Sequence, residues 1–353
     1  MFRDNFCRSF SPEILRLFKT AEVKKAMGNN VKLSERIGRD ALWTSYPLDL
    51  KPMLEEAFSA QGDSPIISAG YTAKLLERWK MTRHELIVFL VPFARALADA
   101  PISGLRVGAV ACGLEGDLYF GANVEFPGQA LGFTVHAEQA AVVNAWTHGA
   151  TVLTEMAVSA PPCGHCRQFL LELLNVPRAD LFVTFPNKDD DPVRHNLRDL
   201  LPGAFGPADL GVTARILGSF NHLDLPGDND STTTAALTAA NISYAPYSTK
   251  LDEPPFAYGF SGVGIIMADG GRYFGPYCEN AAFNPSLSPM AAALSNVNLF
   301  AKCSEIAEAA LVELPDSPVS QADTARILLS TRTDVPLTVR HAEITRSGMV
   351  SRT

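Results

Sequence analysis

The sequence has no long apolar run, few cysteines and no excess of basic residues. Its longest apolar run, residues 86–94, is too short to cross a bilayer and contains Pro92, so it predicts a buried helix and no membrane partner. The six scattered cysteines exclude a disulfide scaffold and favour a reducing compartment, which predicts a cytoplasmic protein. A formal net charge of -8 argues against a protein whose main task is to bind nucleic-acid phosphates.

The N-terminal region lacks a secretory signal, because charged residues such as Asp4 and Glu13 interrupt its apolar stretch. Scattered arginine, lysine and serine leave an organelle presequence as the alternative, although those two acidic residues are unusual in one. The pattern predicts a helical extension over residues 1–65, whose purpose the sequence does not indicate.

With 353 residues and an apolar content of 47%, the chain is long enough for two domains. Apolar residues at three- and four-residue steps predict a helix over residues 72–100, ended by Pro101. Two hairpin strands, a helix, a strand, a helix and a strand are then predicted at residues 105–112, 117–123, 136–146, 155–159, 166–174 and 181–185. This order predicts an α/β fold, a mixed sheet with helices packed on it.

A motif of the first half recurs in the second half. The tripeptide YFG at residues 119–121 reappears 154 residues later at 273–275, and Glu125 matches Glu279 at the same offset. A helix at residues 231–243 and strands at 262–267 and 272–278 repeat the order of the first half. We therefore predict a duplicated domain.

The predicted division is an N-terminal extension (1–65), a catalytic domain (66–215), a linker (216–230) and a second copy (231–353). The linker ends a longer stretch, residues 186–230, whose Pro, Gly and Asp content predicts loops.

The second copy lacks the chemistry of the first. At the offset of 154, His136 falls on Met290 and Glu138 falls on Ala292. Where the first copy has a cysteine pair, residues 318–329 predict a helix start without a thiol.

A histidine and a glutamate followed by a cysteine pair form the main chemical signal, in HAE at residues 136–138 and PCGHC at 162–166. Cys163 and Cys166 stand three residues apart at a helix start, so both thiols lie on one face and can share a tetrahedral zinc. The partial positive charge of a helix N-terminus also favours their thiolate forms.

With His136 the number of protein ligands is three. Closed structural zinc sites usually have four ligands, whereas three leave a position for water, whose pKa zinc lowers to about 7. The pattern therefore predicts one catalytic zinc ion per chain, with Glu138 as the carrier of protons.

Helix geometry restricts where these residues stand. Side chains two residues apart in a regular helix point about 200° away from each other, so His136 and Glu138 cannot both face a metal from mid-helix. We therefore predict that His136 stands at the helix entry, before regular dihedral angles begin.

The separate parts of this motif also have simpler interpretations. An isolated Cys-x-x-Cys is more often redox-active or structural, and His165, inside the cysteine loop, is an alternative fourth ligand that would close the site. A second HAE string, at residues 341–343, has no cysteine after it and is interpreted as a coincidence on a terminal strand.

These residues resemble the cytidine deaminase family, in its homodimeric branch, where each chain holds a catalytic domain and a degenerate second copy. The resemblance covers residues 70–340 and rests on FGANVEF (120–126), VHAEQ (135–139), PCGHCRQF (162–169), AFGP (204–207) and ENAAFNP (279–285). It implies a three-layer α/β/α mixed-sheet domain, duplicated, and a homodimer. It also implies zinc-dependent hydrolysis of cytidine and deoxycytidine to uridine and deoxyuridine, in pyrimidine salvage.

The resemblance also implies a substrate pocket. Asn123 and Glu125 would hold the ribose hydroxyls, although from the residues alone a strand-end cap is an equal alternative. The backbone of Ala137 and the carbonyl of Pro161 would bond the pyrimidine edge.

Two further positions belong to the pocket that the family implies. Leu105 stands where the family usually has an aromatic residue, which keeps an apolar wall but loses stacking worth about 1 kcal/mol. Phe205 and the segment 279–282 would complete the pocket from a partner subunit, while a core aromatic in a loop is the alternative for Phe205.

Two other functions compete with this one. A deaminase acting on a nucleotide, RNA or DNA would need cationic side chains for phosphate, and the acidic total argues against it. A zinc module without activity would have no use for Glu138.

Overall fold

The computed structural model describes residues 50–60, 64–174, 180–218, 220–248, 259–301 and 305–345. Most of the predicted N-terminal extension, Cys7 and Cys303 lie outside these ranges. Among the described residues, no helix is both long and apolar enough to cross a membrane. The four cysteines that can be described, Cys112, Cys163, Cys166 and Cys278, carry free thiols.

Three helices lie before the hairpin of the first large sheet: α1 Leu50–Ser59, α2 Ala69–Trp79 and α3 Arg83–Ala96. The single helix predicted over residues 72–100 is therefore wrong. Lys80 takes a left-handed conformation with φ of 54°, and Thr82 starts a new helix by exchanging hydrogen bonds with Glu85. The predicted burial of residues 86–94 is confirmed, with only Pro92 partly exposed.

The first copy is built on a six-stranded mixed sheet in the order β1-β3-β2-β4-β5-β6. Its strands are β1 Ile66–Ile67, β2 Gly108–Gly113, β3 Leu118–Ala122, β4 Leu153–Val158, β5 Phe182–Pro186 and β6 Pro192–Asn196. The predicted hairpin is confirmed, since β2 pairs with β3 in antiparallel register, with Val110 opposite Phe120.

Side chains alternate across this sheet and bury both of its faces. Ala109 and Ala111 pack in one cluster with α4 Ala137–Thr147 and α5 Gly164–Leu171, whereas Val110 and Cys112 pack with α3. The three-layer α/β/α architecture is thereby confirmed.

The second copy repeats this arrangement. The short helix α6 Leu197–Leu200 follows β6 and precedes the second copy. The elements of the second copy are α7 Ser231–Ile242, β8 Ser261–Met267, β9 Arg272–Pro276, α8 Pro289–Phe300, β10 Ile306–Glu313, α9 Ala322–Leu329 and β11 Leu337–His341. The order β9-β8-β10-β11 reproduces β3-β2-β4-β5, including the parallel last pair. Helices α4 and α8 pack against each other between the two sheets, so the largest core cluster contains residues of both copies.

The predicted counterparts of the site residues are wrong by two positions. Val124 bridges Val135 in the first copy, and Cys278 bridges Leu287 in the second. The offset is 154 from Val124 to Cys278 but 152 from Val135 to Leu287, because the intervening loop is two residues shorter.

The structural counterpart of His136 is consequently Ser288, which caps α8, and that of Glu138 is the fully buried Met290. The conclusion that the second copy lacks the chemistry is unchanged. Neither Ser288 nor Met290 is a ligand that zinc prefers.

The prediction of loop over residues 186–230 is also wrong in part. This stretch contains β6, α6, the 3₁₀ helix Pro207–Leu210 and β7 Leu223–Asp224, which pairs with β12 Glu343–Ile344 near the end of the chain. The run KDDD at residues 188–191 is the turn between β5 and β6, with Asp190 at φ of 62°. Proline and charged residues occur in edge strands, so such a strand lacks the alternation of apolar and polar residues by which a strand is recognised.

Candidate zinc centre

Two helix N-termini meet at the candidate metal ligands. His136 is the cap residue of α4 with φ of -83° and ψ of 157°, and Cys163 is the cap residue of α5 with φ of -70° and ψ of 167°. These extended dihedral angles confirm that His136 precedes the regular helix, so its ring and the Glu138 side chain can approach the same point.

The three ligand atoms have separations that suit zinc. His136 Nδ1 lies 3.6 Å from Cys163 Sγ and 3.3 Å from Cys166 Sγ. A tetrahedral zinc with Zn–S of about 2.3 Å and Zn–N of about 2.0–2.1 Å places sulfur and nitrogen about 3.5 Å apart. The three atoms lie within 4.8 Å of one another, which is close enough for one ion to bind all three.

The alternative fourth ligand, His165, does not join the other three. Its Nε2 lies 3.3 Å from the Gln139 side-chain nitrogen, and its ring stacks on that of His136 with centroids 5.7 Å apart. Among the described residues, the only cluster of three or more metal-ligating side chains is His136, Cys163 and Cys166. The site therefore keeps the three-ligand composition of a catalytic zinc centre.

The ligands polarise one another. Hydrogen bonds from Cys166 and His136 lower the pKa of Cys163 to about 3, and the hydrogen bond with Cys163 raises the pKa of His136. The hydrogen bond with Cys163, together with burial, raises the pKa of the Cys166 thiol. A bound divalent cation would favour the thiolate form of both cysteines.

Glu138 is a buried carboxyl beside the sulfur ligands. Only 3% of its surface is exposed, and its side chain hydrogen-bonds the Cys166 thiol. Burial raises the pKa of Glu138 above its usual value. A carboxyl in this environment can both accept and release a proton next to the ion.

Asn123 and Glu125 lie next to the metal ligands, because Val124 between them bridges Val135, which precedes His136. Asn123 accepts a hydrogen bond from Val107 N–H at 2.8 Å and donates to the Leu105 carbonyl at 2.9 Å. Both side chains are buried, at 6% and 5% exposure.

Glu125 holds the same loop from its other end. Its carboxylate accepts hydrogen bonds from the backbone of Ile102 at 2.7 Å and Ser103 at 3.0 Å, and from the Ser103 hydroxyl. Burial raises the pKa of Glu125, but these hydrogen bonds outweigh it and the net shift is downward. The structure thus gives both side chains a loop-holding role, and each keeps lone pairs for a further partner.

The other predicted pocket residues are distributed around this group. Ala137 is the first residue of α4 and is buried, whereas Pro161, two residues before Cys163, is exposed. The Leu105 side chain is 62% exposed and that of Phe205 is 49% exposed. The Phe205 carbonyl accepts a hydrogen bond from Gln168 on α5 at 2.7 Å.

The segment 279–282 contacts its own chain, since its residues 279–281 are buried within it. Glu279 repeats the role of Glu125, because its carboxylate accepts from the backbone of Tyr247 at 2.7 Å and Ser248 at 3.1 Å. The loop-holding carboxylate is therefore present in both copies, with and without a metal site.

Sequence reasoning missed three residues that support the predicted site residues. Ser103 bonds Glu125, and Gln139 accepts from the His136 N–H at 3.1 Å. Arg167 donates to the carbonyls of Pro162 at 2.9 Å and Leu200 at 2.8 Å, which holds the loop that carries Cys163. Gln139 and Arg167 follow the ligand motifs directly, and this adjacency is the signal that could have identified them.

Two segments of the chain, residues 82–179 and 197–326, match the cytidine and deoxycytidylate deaminase zinc-binding region. The cytidine deaminase of Photobacterium profundum is 41% identical over 296 residues, which is 83% of this chain and 95% of that protein. The cytidine deaminase of Vibrio parahaemolyticus is 40% identical over 295 residues, with the same two coverages of 83% and 95%. The chain belongs to the cytidine deaminase family.

A solved structure, cytidine deaminase from Burkholderia pseudomallei, is 32% identical and covers 35% of this chain and 100% of its own, with a TM-score of 0.32. Membership in the cytidine deaminase family confirms the resemblance drawn from the motifs. Two matched segments in one chain agree with the duplication that the sheets show. Zinc is the metal of the matched region, and the family's metal fits the three ligand atoms.

Proposed function

We propose that this chain catalyses the hydrolytic deamination of cytidine and deoxycytidine to uridine and deoxyuridine, as a step of pyrimidine salvage. The observation that carries the proposal is a buried Glu138 carboxyl directly beside a three-ligand metal site. When bound, the ion supplies Lewis acidity that makes water a nucleophile near neutral pH.

The chain's own residues have distinct tasks in this reaction. His136, Cys163 and Cys166 hold the ion. Glu138 accepts a proton from water and delivers protons to the ring nitrogen and to the leaving ammonia. Its burial keeps the carboxyl from bulk water, so the proton is transferred within the site.

The groups that would hold the nucleoside lie next to the metal ligands in the chain or in the fold. We assign the ribose hydroxyls to the unused lone pairs of Asn123 and Glu125, and the pyrimidine edge to the backbone of Ala137 and the carbonyl of Pro161. Glu125 adds a negative charge here, which disfavours a phosphate on the sugar. The Glu125 carboxylate beside the assigned ribose position therefore supports a nucleoside without phosphate as the substrate.

The test is turnover on the purified full chain, with zinc measured on the same sample. Cytidine and deoxycytidine should be converted, and dCMP and a cytosine-containing oligonucleotide should react far more slowly. A preference for either phosphorylated substrate would contradict the nucleoside assignment.

The variant Glu138→Gln isolates the proton carrier, because the amide keeps the shape of the side chain and loses the acid. It should retain about one zinc per chain and lose at least 10²-fold in kcat. Loss of zinc from this variant, or full activity, would contradict the assigned role.

We also propose that the active protein is a homodimer whose partner subunit covers the pocket. The support is the exposure of two apolar side chains, Leu105 and Phe205, at 62% and 49%. Sedimentation of Phe205→Asp against wild type tests it, and an unchanged dimer would remove Phe205 from the interface.

Two further points stay proposals. We propose the cytoplasm as the location, since cysteine ligands need a reducing environment. We also keep the division into an extension (1–65), a catalytic domain (66–215), a connection (216–230) that includes β7, and a second copy (231–353).

A further inference from the structure

The last turn of α5 ends in a carboxylate that the second copy surrounds. Glu172 is fully buried and follows directly after α5. Its Oε2 accepts hydrogen bonds from the hydroxyls of Tyr244 at 2.7 Å and Tyr247 at 2.8 Å, and its Oε1 accepts from the Ala281 N–H at 2.8 Å. All three donors belong to the second copy.

A second contact holds the same turn. The Asn280 side chain donates to the Gln168 carbonyl on α5 at 3.1 Å. Tyr244 is itself fixed by backbone hydrogen bonds with Tyr277 at 2.9 Å and Glu279 at 2.7 Å. The end of α5 therefore contacts two ordered segments of the metal-free copy.

Helix α5 needs such support, because it carries two zinc ligands on very few residues. It has eight residues, and an isolated helix of this length is not stable in water. Cys163 caps its first turn and Cys166 lies within that turn, while Glu172 closes its other end. A change of tilt at Glu172 is transmitted along about two turns to both sulfur atoms.

The contact of the first copy with the end of α9, the counterpart of α5 in the second copy, provides a comparison. Asp99 occupies in the first copy the place of Tyr244 in the second, because Asp99 bridges Val124 as Tyr244 bridges Cys278. Asp99 accepts a hydrogen bond from Arg332 at 2.7 Å, and Arg332 follows α9. The metal-free helix is thus held by an ion pair that is about one-third exposed, at 31% and 30%, whereas the helix with the zinc ligands is held by a buried network.

We infer that the second copy acts on the metal site: its tyrosine pair and Ala281 N–H hold Glu172, and so keep Cys163 and Cys166 at zinc-binding separation. Glu172 is a positioning residue, since it acts through α5 and does not touch the reacting atoms. The inference rests on the zinc site of the proposed function and gives the copy that lost its ligands a role in the other copy's chemistry.

The test compares four variants as full chains: Glu172→Leu, Glu172→Gln, Tyr247→Phe and Arg332→Met. Leucine removes every acceptor, whereas glutamine keeps an oxygen for Ala281 and an amide for the tyrosine oxygens. Arg332→Met is the matched control, because it loosens the reciprocal contact at the helix without ligands. Arg332 also donates to the Glu125 carbonyl at 3.2 Å, so this control is read on metal binding and not on turnover.

The readouts are the visible absorption of the cobalt-substituted protein and the zinc dissociation constant. Residues that orient metal ligands typically contribute 10- to 100-fold to metal affinity, so we expect about a tenfold weaker affinity and an altered cobalt spectrum for Glu172→Leu. Tyr247→Phe should show a smaller change, and Glu172→Gln should restore both values toward wild type. Arg332→Met should lower the melting temperature without altering the cobalt spectrum.

A folded Glu172→Leu with the wild-type spectrum and zinc affinity would overturn the inference. The same holds if Arg332→Met changes the spectrum as much. If Glu172→Leu does not fold, Tyr247→Phe decides alone, with an unchanged spectrum and affinity counting against the inference. Zinc binding without cytidine turnover in the wild type would contradict the proposed function and leave this inference standing.

Discussion

The contact between β3 and α4 leads to a sharp prediction. A Cβ added to Gly121 would stand 2.3 Å from the Ala137 carbonyl oxygen and 2.3 Å from the Ala141 nitrogen. Ordinary contact begins at 3.4 Å, so the first turn of α4 would have to retreat by about 1.1 Å. That turn begins immediately after His136.

The cost of Gly121→Ala follows from this overlap. Overpacking a core costs about 1–3 kcal/mol, and the lower entropy of the unfolded alanine chain offsets about 0.4–1 kcal/mol of it. A misplacement of about 1 Å at an active site costs about 100-fold in rate. We therefore expect a stability loss of about 1–2 kcal/mol and a loss of about 100-fold in kcat/KM.

The second copy contains the matched control. A Cβ on Gly275 would stand 2.1 Å from the Ala293 nitrogen and 2.4 Å from the Pro289 carbonyl oxygen, which is the same clash against α8. Gly275→Ala should lose similar stability in guanidinium unfolding but keep most of the cytidine turnover per folded molecule. Equal activity losses in the two variants would refute the reasoning, as would a fully active Gly121→Ala.

Three further predictions concern the pocket and the metal. Hydrogen bonds bring the pKa of Glu125 below its usual 4.5 in the folded state, so its carboxylate stabilises the fold above about pH 4.5 and this contribution is lost as pH falls through the folded-state pKa. The difference in unfolding free energy between wild type and Glu125→Gln should therefore be largest at neutral pH and shrink below pH 4.5, and a difference independent of pH would contradict the assigned hydrogen bonds. Leu105→Phe should lower KM for cytidine about fivefold, since stacking on the base is worth about 1 kcal/mol, with an unchanged KM counting against Leu105 as a pocket wall. Removing zinc with a chelator should abolish turnover while circular dichroism shows a folded protein, because the main core cluster excludes the ligands His136 and Cys163; global unfolding on chelation would show that the ion is structural.

Much of the fold was predictable because its signals are local. The hairpin of β2 and β3 and the helix after His136 depend on residues close together in the chain, and the repeat in the second half copies such local patterns. Predictions failed where distant contacts decide. The strand β6 is an edge strand without an alternating pattern, and the shorter loop before α8 moved the counterpart of His136 from Met290 to Ser288.

By itself, the sequence predicted three metal ligands and a proton carrier, because His136 and Glu138 stand together at one helix start and Cys163 and Cys166 at another. The tertiary structure alone decided what surrounds them. Glu172 meets Tyr244 across 72 residues and Ala281 across 109 residues, and no local pattern relates such positions. Folding brings the copy without ligands against the helix that has them, and that contact exists only once both sheets are packed on the shared core.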